Sequence, residues 1–394
     1  MQMLTQEKLS LEAGAQHLTH LLRSQATGVG LPPSLRDHWL KWVDRADLST
    51  LFTAQHLKED WKYTPMEFLR HPWELGTLTA SSPSFPPEGE LPLIQPVESF
   101  EDLPALHSLP TPSSPWEALL GASTTYQHYQ IREAGQLLLT SSNETGVLPH
   151  FVSISIAPHS QAEIWLAPHT GGFLLLRLHI HVGEGASARL YYTTDLPTRN
   201  GYLYGILSAE VEKEGQLESY DLTISAPWKR TEFKVRLTGP GASVHLHGAS
   251  RIAPGEVVDQ AIRIEHAAPH TESNQLFKSL VYAEGRSAFQ GRIYVHREGQ
   301  KTNAYQSHKA LLWEPSAVAY SRPQLEIFAD DVRCTHGVTT GFLQGEMLLY
   351  LRSRGIPEET ARHMLAGAFL AEVVEKIPHE RLRAGLYARM GFSS

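Results

Sequence analysis

The sequence is short of the residues that several functional classes need. Among 394 residues it has one cysteine, Cys334, which excludes an intrachain disulfide and a four-cysteine zinc or iron–sulfur site held by this chain alone. The net charge of −8, with no long block of Lys and Arg, argues against a protein whose main work is binding nucleic acid or anionic lipid. A single cysteine also fits a reducing compartment, so we expect a cytoplasmic protein.

Long apolar segments and common catalytic motifs are missing as well. The most apolar stretch, 171–182, is short and contains one arginine and two histidines, so we expect no membrane span. Residues 1–12 have neither the basic region nor the apolar region of a secretory signal. The P-loop, G-x-S-x-G, H-E-x-x-H and C-x-x-C patterns are all absent, which argues against the nucleotide-binding and catalytic sites that they mark.

The texture of the chain changes three times. Residues 1–70 show helical spacing of apolar residues, first at Leu4, Leu11, Leu18, Leu21 and Leu22, then at Trp39, Trp42, Val43 and Ala46. Residues 71–125 carry ten of the 25 prolines, which predicts a linker or an arm on the surface. Residues 126–345 alternate like strands, and residues 346–394 return to a helical pattern.

A weak repeat runs through the β region. A turn residue, a small residue and an alternating strand recur from Ser160, Gly185, Gly215, Gly241 and Gly285, at intervals of 25, 30, 26 and 44 residues. Periods of roughly 20–50 residues are typical of stacked solenoids, and no helical pattern separates these strands. The sequence therefore predicts a β-helix, with a sandwich or barrel as the alternative.

Two helices are predicted near the C-terminal end. Gly355 is placed to end a helix that carries Leu348, Leu349 and Leu351, and Pro357 is placed to begin the next one. In that second helix one apolar stripe is predicted to be core, with a docking face as the alternative for part of it: Ala361, Met364, Leu365, Ala368, Phe369 and Val373.

Histidine, with 21 residues, is the enriched chemical group. Two H-x-H pairs, His179/His181 and His245/His247, would each point to one side of a strand and offer two ligands to one metal. A cupin-like enzyme would use such pairs, but the cupin glycine and glutamate are not at their usual offsets here. The plainer interpretation is that these histidines are polar or half-buried strand positions.

The segment 330–337 (DDVRCTHG) concentrates two acids, the single cysteine and a histidine. If the segment is extended, Asp330, Val332, Cys334 and His336 share one face, so Cys334 and His336 would reach the same metal. Two ligands are too few for a closed site, so any metal chemistry here needs ligands from a second chain. Without further information, a buried structural cysteine beside a hydrogen-bonded histidine is the commoner case.

Several ordered segments resemble the SufD family of the SUF iron–sulfur cluster assembly machinery. Residues 323–337 (PQLEIFADDVRCTHG) and 350–357 (YLRSRGIP) resemble its C-terminal signature. Upstream segments match it in the expected order, and so does an entry motif near the N-terminus: 270–278 (HTESNQLFK), 289–295 (FQGRIYV), 300–306 (QKTNAYQ) and 60–65 (DWKYTP). The match is strong over about 265–360 and weaker between 70 and 260.

The resemblance implies a mainly β fold: a right-handed parallel β-helix core flanked by N-terminal and C-terminal α-helical regions. It implies a non-enzymatic scaffold that pairs with SufB and docks the SufC ATPase on its C-terminal helices. The residues implied in the SufC-docking region are Tyr350, Arg352, Arg354, Gly355 and Pro357.

The resemblance also implies where the chemistry lies. His336 would lie at the SufB interface and take part in de novo cluster formation, as a transient metal ligand, with Cys334 as its neighbour. No intrinsic cofactor is expected. A transient iron or iron–sulfur cluster would be shared with SufB, and reduced flavin would bind the assembled complex.

Other functions stay open at this point. A β-helix polysaccharide lyase or hydrolase would need acids and bases stacked on neighbouring coils, and the acids here are scattered. A metal-dependent cupin-like enzyme would use the H-x-H pairs. A purely structural protein, homodimeric when isolated, would have no role for His336.

Overall fold

The computed structural model describes residues 2–26, 61–70, 74, 126–143, 145–196, 200–343 and 345–392. The helical pattern around Trp39 and, apart from Glu74, the Pro-rich stretch from Pro72 to Pro115 lie outside the described residues. The division of the chain into residues 1–70, 71–125, 126–345 and 346–394 stays a prediction.

Sixteen strands in the described chain form a two-sheet parallel β-solenoid. The odd sheet contains β1 (Tyr126–Ile131), β3 (Val147–Ile156), β5 (Phe173–Val182), β7 (Tyr202–Val211), β9 (Trp228–Leu237), β11 (Val257–His266), β13 (Arg286–Val295) and β15 (Val318–Ile327). The even sheet contains β2 (Ala134–Asn143), β4 (Gln161–Thr170), β6 (Ser187–Asp195), β8 (Gln216–Ser225), β10 (Ser243–Ile252), β12 (Glu272–Val281), β14 (Asn303–Leu312) and β16 (Arg333–Phe342). The chain alternates between the sheets, and each strand pairs in parallel with the strand two positions earlier. The predicted β-helix class is confirmed.

The core lies between the two sheets, in a space that we call the lumen. In β5 the inward residues Leu174, Leu176, Leu178 and Ile180 are at most 1% exposed. Alternate residues face inward because successive side chains of a strand point to opposite faces. Stacking identical coils therefore builds one continuous apolar core from short strands.

A ladder of left-handed turn residues precedes the even strands. In the turns before β4, β6, β8, β10, β12 and β14, six residues have φ between 57° and 75°: His159, Gly185, Glu214, Gly241, His270 and Lys301. The amide of His159 donates to the carbonyl of Glu184 at 2.8 Å, and the amide of Gly185 donates to Lys213 at 2.9 Å, so the turns are bonded from coil to coil. Glycine adopts this conformation at least cost, which is why Gly185 and Gly241 mark the repeat in the sequence.

The fifth predicted repeat, at Gly285, does not belong to the same sheet as the other four. β12 begins at Glu272, 29 residues after β10, and β13 begins 14 residues later at Arg286. Gly285 therefore starts a strand of the odd sheet, and the interval of 44 residues spans about one and a half coils. The true repeat passes through His270, which has no glycine to reveal it.

Four helices and one 3₁₀ helix flank the solenoid in the described residues: α1 (Gln2–Ala26), the 3₁₀ helix η1 (Glu67–Arg70), α2 (Gly345–Ser353), α3 (Glu358–Val374) and α4 (Glu380–Met390). Gly355 ends the turn after α2 with φ 85°, as predicted, and Pro357 caps α3. The predicted core stripe of α3 was partly wrong. Met364 is half exposed, and the buried residues are Ala361, Ala366, Leu370, Val373 and Val374.

The segment 61–70, which we call the strap, lies across the outer face of the odd sheet. Its Trp61 ring lies 4.1 Å from the guanidinium of Arg230, and Thr64 donates to Asp259. Tyr63 stacks on Tyr320 at 4.5 Å between ring centroids. Tyr204, Arg230, Asp259, Ala288 and Tyr320 are successive register partners in β7 to β15, so the strap spans several coils.

Candidate functional site

The two ends of the solenoid differ in burial. In β2 the inward residues Leu137 and Leu139 are at most 4% exposed. At the other end, no residue of β15 or β16 is buried, and each is the last strand of its sheet. The C-terminal end of the lumen is therefore open, and it presents two ten-residue edge strands whose outer backbone groups can pair with another chain.

Cys334 and His336 lie on β16 at this open end. Cys334 is the register partner of Ala304, and His336 that of Gln306, so both belong to the inward-facing set. The predicted common face is confirmed for this pair. Cys334 is half-buried against the cluster that contains Ile293 and Ala304, and burial raises the pKa of its thiol. The thiol is therefore protonated at neutral pH unless a metal or a partner group stabilises the thiolate.

His336 is exposed, because no further coil covers β16. In the part of the chain that the structure describes, its ring has no hydrogen bond or ion pair to fix it. The site offers a half-buried thiol and an exposed imidazole at the edge of a sheet. Such a pair can bind a metal only when other ligands arrive from outside the chain.

The expectation for Asp330 was wrong. The strand begins at Arg333, so Asp330 lies in the preceding turn and does not extend the face of Cys334. The carbonyl of Asp331 accepts the amide of Lys301, and its carboxylate pairs with the Lys301 ammonium. Asp331 therefore completes the ladder of turns.

Apolar residues surround the open end. The large apolar side chains exposed there are Tyr305, Tyr320, Ile327, Phe328, Val338 and Phe342, with exposed fractions from 38 to 58%. Exposed apolar groups gathered beside unpaired strand edges indicate an interaction surface. We call this surface, with Cys334 and His336, the open-end surface.

A second exposed apolar surface lies on α2 and α3. It consists of Met347, Leu349, Tyr350 and Met364, each at least half exposed. Of the predicted docking residues, Arg352 pairs with Glu358 at 3.2 Å, and Arg354 lies 5.4 Å from the centre of the Tyr350 ring. The structure thus brings Tyr350, Arg352 and Arg354 together beside the turn at Gly355 and Pro357. We call this the helical surface.

Side chains of the even sheet hold α3 in place. Lys278, 5% exposed, donates to the carbonyl of Phe369 at 2.6 Å and pairs with Glu372 at 2.5 Å. Lys309 also pairs with Glu372, at 3.1 Å. The helical surface is therefore fixed relative to the last coils, next to the strand that carries His336.

The H-x-H pairs do face one way in each strand, but other groups engage three of the four histidines. His179 is fully buried and bonds Ser208 at 2.9 Å, and His181 lies 3.4 Å from Glu212. His247 is buried against the Tyr220 ring, and burial lowers its pKa to about 4. Among the described residues, no three His, Cys, Asp or Glu side chains are grouped as a metal site would require.

Sequence reasoning missed the polar groups inside the lumen. Lys229, fully buried, donates to Asp221 at 2.5 Å and to Thr223 at 2.9 Å, and Gln260 donates to the same Asp221. Nearer the open end, His308 is fully buried and bonds Ser321. Each of these residues lies at an inward position of an alternating strand. The sequence would have revealed them only if it had also shown which residues of each strand point inward.

Comparison with known proteins agrees with this architecture. Residues 138–369 match the family described as "SUF system FeS cluster assembly, SufBD core domain". The chain is 29% identical over 277 residues to the iron–sulfur cluster assembly protein SufD of Escherichia coli, covering 70% of this chain and 61% of that relative. It is 34% identical over 173 residues to protein ABCI7 of Arabidopsis thaliana chloroplasts, covering 44% of this chain and 36% of the relative. A SufBD family protein of Synechocystis is 30% identical over 174 residues, covering 44% of this chain and 38% of the relative.

The chain is a two-sheet β-solenoid with one open end, and the family model covers more than half of it. The chain therefore belongs to the SufB/SufD family. The matched segments span 61% or less of these relatives. In the described residues no helix is long and apolar enough to cross a bilayer.

Proposed function

We propose that this chain is a non-catalytic scaffold subunit. It pairs with a SufB-type partner through the open-end surface and docks a SufC-type ATPase through the helical surface. His336, with Cys334 beside it, contributes to the nascent cluster site at the junction with the partner.

The observation that carries this proposal is the open end of the lumen. Two edge strands, β15 and β16, contain no buried residue, and apolar side chains such as Phe328 and Val338 lie exposed beside them. A partner strand that added to these edges would cover the apolar groups and the inward faces of Cys334 and His336 at once. No comparable exposure exists at β2, where Leu137 and Leu139 are buried.

The available ligands fit a cluster that is assembled at this site and then released. Iron–sulfur clusters that are retained are held by several thiolates, and this chain has one cysteine. One thiol and one imidazole supplied here, with the other ligands from the partner, give a site that opens when the interface opens. The iron or cluster is thus the cargo of the complex, and reduced flavin on the complex belongs to the same proposal.

The test is anaerobic reconstitution with SufB-type and SufC-type partners, followed by visible absorption of the cluster. His336→Ala is compared with Thr335→Ala, its exposed neighbour on the opposite face of β16. We expect His336→Ala to lose the cluster signal while the complex stays intact on gel filtration, and Thr335→Ala to keep it. An unchanged signal in His336→Ala would leave this chain as a structural partner only.

A further inference from the structure

Four segments that resemble the family meet at one place in the lumen. Gln275 of β12, Gln306 of β14 and His336 of β16 are successive register partners on the inward face of the even sheet. Gln275 lies in segment 270–278, Gln306 in segment 300–306 and His336 in segment 323–337. The fourth segment, 289–295, supplies Gly291, against which Gln306 packs. Nothing in the proposed function yet accounts for this column.

The side-chain amide of Gln306 is held in a fixed position. Gln306 is 1% exposed, and its Nε2 donates to the carbonyl of Gly291 at 3.3 Å. A Cβ added at Gly291 would lie 2.4 to 2.6 Å from the three terminal atoms of Gln306, so any larger residue there would displace the amide. The absence of a side chain at residue 291 thus makes the space for Gln306.

The side-chain oxygen of Gln306 takes no part in this hydrogen bond. Oε1 of Gln306 is buried and has no hydrogen-bond partner among the described residues. A buried acceptor that is left unpaired keeps its desolvation cost, so a partner for this atom would be stabilising. The next side chain in the column is His336, on a strand about 4.8 Å away, and its exposed ring has no described partner.

We propose that Gln306 is a positioning residue for His336. When a partner covers the open end, Oε1 of Gln306 accepts a hydrogen bond from one ring nitrogen of His336. This bond fixes the tautomer and leaves the other nitrogen, with its lone pair, facing the nascent cluster. Its importance for assembly rests on the proposed function, since it matters only if His336 is a ligand or assembly residue.

The physical reason is the one that applies to metal-binding histidines in general. Such a histidine nearly always donates its second ring nitrogen to an acceptor, which orients the ring, and loss of that acceptor typically costs 10- to 100-fold in affinity or activity. Packing alone would make a different demand on residue 306. It would tolerate a methionine of similar shape and reject a glutamate in a buried site.

The variants are therefore Gln306→Met, which keeps shape and loses the acceptor, and Gln306→Glu, which keeps the acceptor. The matched control is Gln275→Met, one coil deeper in the same column. In the reconstituted complex we expect Gln306→Met to lower the rate of cluster formation about tenfold or more, with Gln275→Met near wild type. Gln306→Glu keeps the acceptor but loses the donor to the Gly291 carbonyl, so we expect its rate to lie between the two. The reverse order, with Met tolerated and Glu inactive, would overturn the proposal.

A second readout does not depend on cluster formation. Solid-state ¹⁵N spectra are recorded on the sedimented complex with only this chain's histidines labelled, and His336 is assigned by its loss in His336→Ala. We expect one neutral tautomer in the wild type and in Gln306→Glu, and a mixture in Gln306→Met. Equal tautomer populations in the wild type and Gln306→Met would overturn the positioning role, even if His336→Ala still abolishes the cluster.

The two proposals can fail separately. If His336→Ala still forms the cluster while the tautomer populations of His336 change in Gln306→Met, the proposed function fails and the hydrogen bond stands. If no complex forms with a SufB-type partner, both proposals fail.

Discussion

Nδ1 of His308 lies 2.6 Å from Oγ of Ser321, so a hydrogen bond across the lumen joins the two sheets near the open end. The His308 ring also stacks on Phe289 at 4.6 Å and is fully buried. Burial lowers the pKa of His308 to about 4. The unfolded chain binds a proton near pH 6.5, so it holds more protons than the folded chain between these values.

Stability should therefore fall as the pH drops from 6.5 towards 4. Near pH 5, His308 alone contributes a slope of about 1.4 kcal/mol of unfolding free energy per pH unit. Urea unfolding of His308→Gln at several pH values should show a slope smaller by about that amount. Val244→Ala, a buried inward change without a titrating group, should lower stability at every pH and leave the slope unchanged. An unaltered slope in His308→Gln would contradict the prediction.

The strap depends on a buried ion pair. Arg230 and Asp259 are at most 1% exposed and pair with each other beneath Trp61 and Thr64. Asp259→Asn leaves the guanidinium charge short of a partner, and we expect a loss of about 3–5 kcal/mol of unfolding free energy, towards the lower value because Glu232 remains 3.2 Å away.

The double variant Arg230→Met/Asp259→Leu should recover most of that loss, since it removes both charges. Arg263→Met is the matched control on the same sheet, because Arg263 is 43% exposed and its pair with Glu265 is worth at most about 1 kcal/mol. Denaturant midpoints compare all three. A double variant less stable than Asp259→Asn would refute this account.

The two exposed surfaces should separate the two proposed partners. Val338→Asp puts a charge on the open-end surface, and we expect it to weaken binding of the SufB-type partner at least about tenfold while binding of the SufC-type ATPase is kept. Met364→Asp, on the helical surface, should do the opposite. Both residues are about half exposed, so neither change should shift the melting temperature by more than a few degrees. Calorimetric titration measures both affinities, and loss of both partners by either variant would disprove the assignment.

The ladder of turns gives opposite predictions for two of its members. Gly185 has φ 64°, and an added Cβ would lie 2.5 Å from Nδ1 of His159, so Gly185→Ala should destabilise by about 1–2 kcal/mol. Glu214, with φ 57°, carries a side chain in the same conformation, so Glu214→Gly should gain up to about 1 kcal/mol. Thermal unfolding of the two variants checks the signs, and a loss in Glu214→Gly would show that its side chain compensates for the strain.

Local pattern was enough to predict the β-solenoid and the common face of Cys334 and His336, because strand alternation and a coil of about 29 residues leave traces in the sequence. It was not enough to locate the turn of every coil. His270 and Lys301 hold the left-handed turn as Gly185 does, but neither is followed by a Ser or Gly that marks the repeat, as His159 and Glu214 are.

The sequence could not predict contacts between residues that lie far apart in the chain. Thr64 meets Asp259 across 195 positions, and Gln306 meets Gly291 across the lumen from the other sheet. The exposure of His336 depends on β16 being the last strand of its sheet, which no residue of the segment encodes. In α3, Met364 fits a helical stripe and yet lies outside, because the helix docks on the even sheet through Ala366 and Leu370.

The strap also orders the events of synthesis. Residues 61–70 leave the ribosome before β7, β9, β11 or β15 exists, so their binding site is completed only when Tyr320 has been made. Trp61 can dock once β7 and β9 have been made, but Tyr63 must wait for Tyr320 while the remaining coils add one by one. Closure of the strap is thus completed late, and a truncated product that stops before β15 would leave Tyr63 without its ring partner.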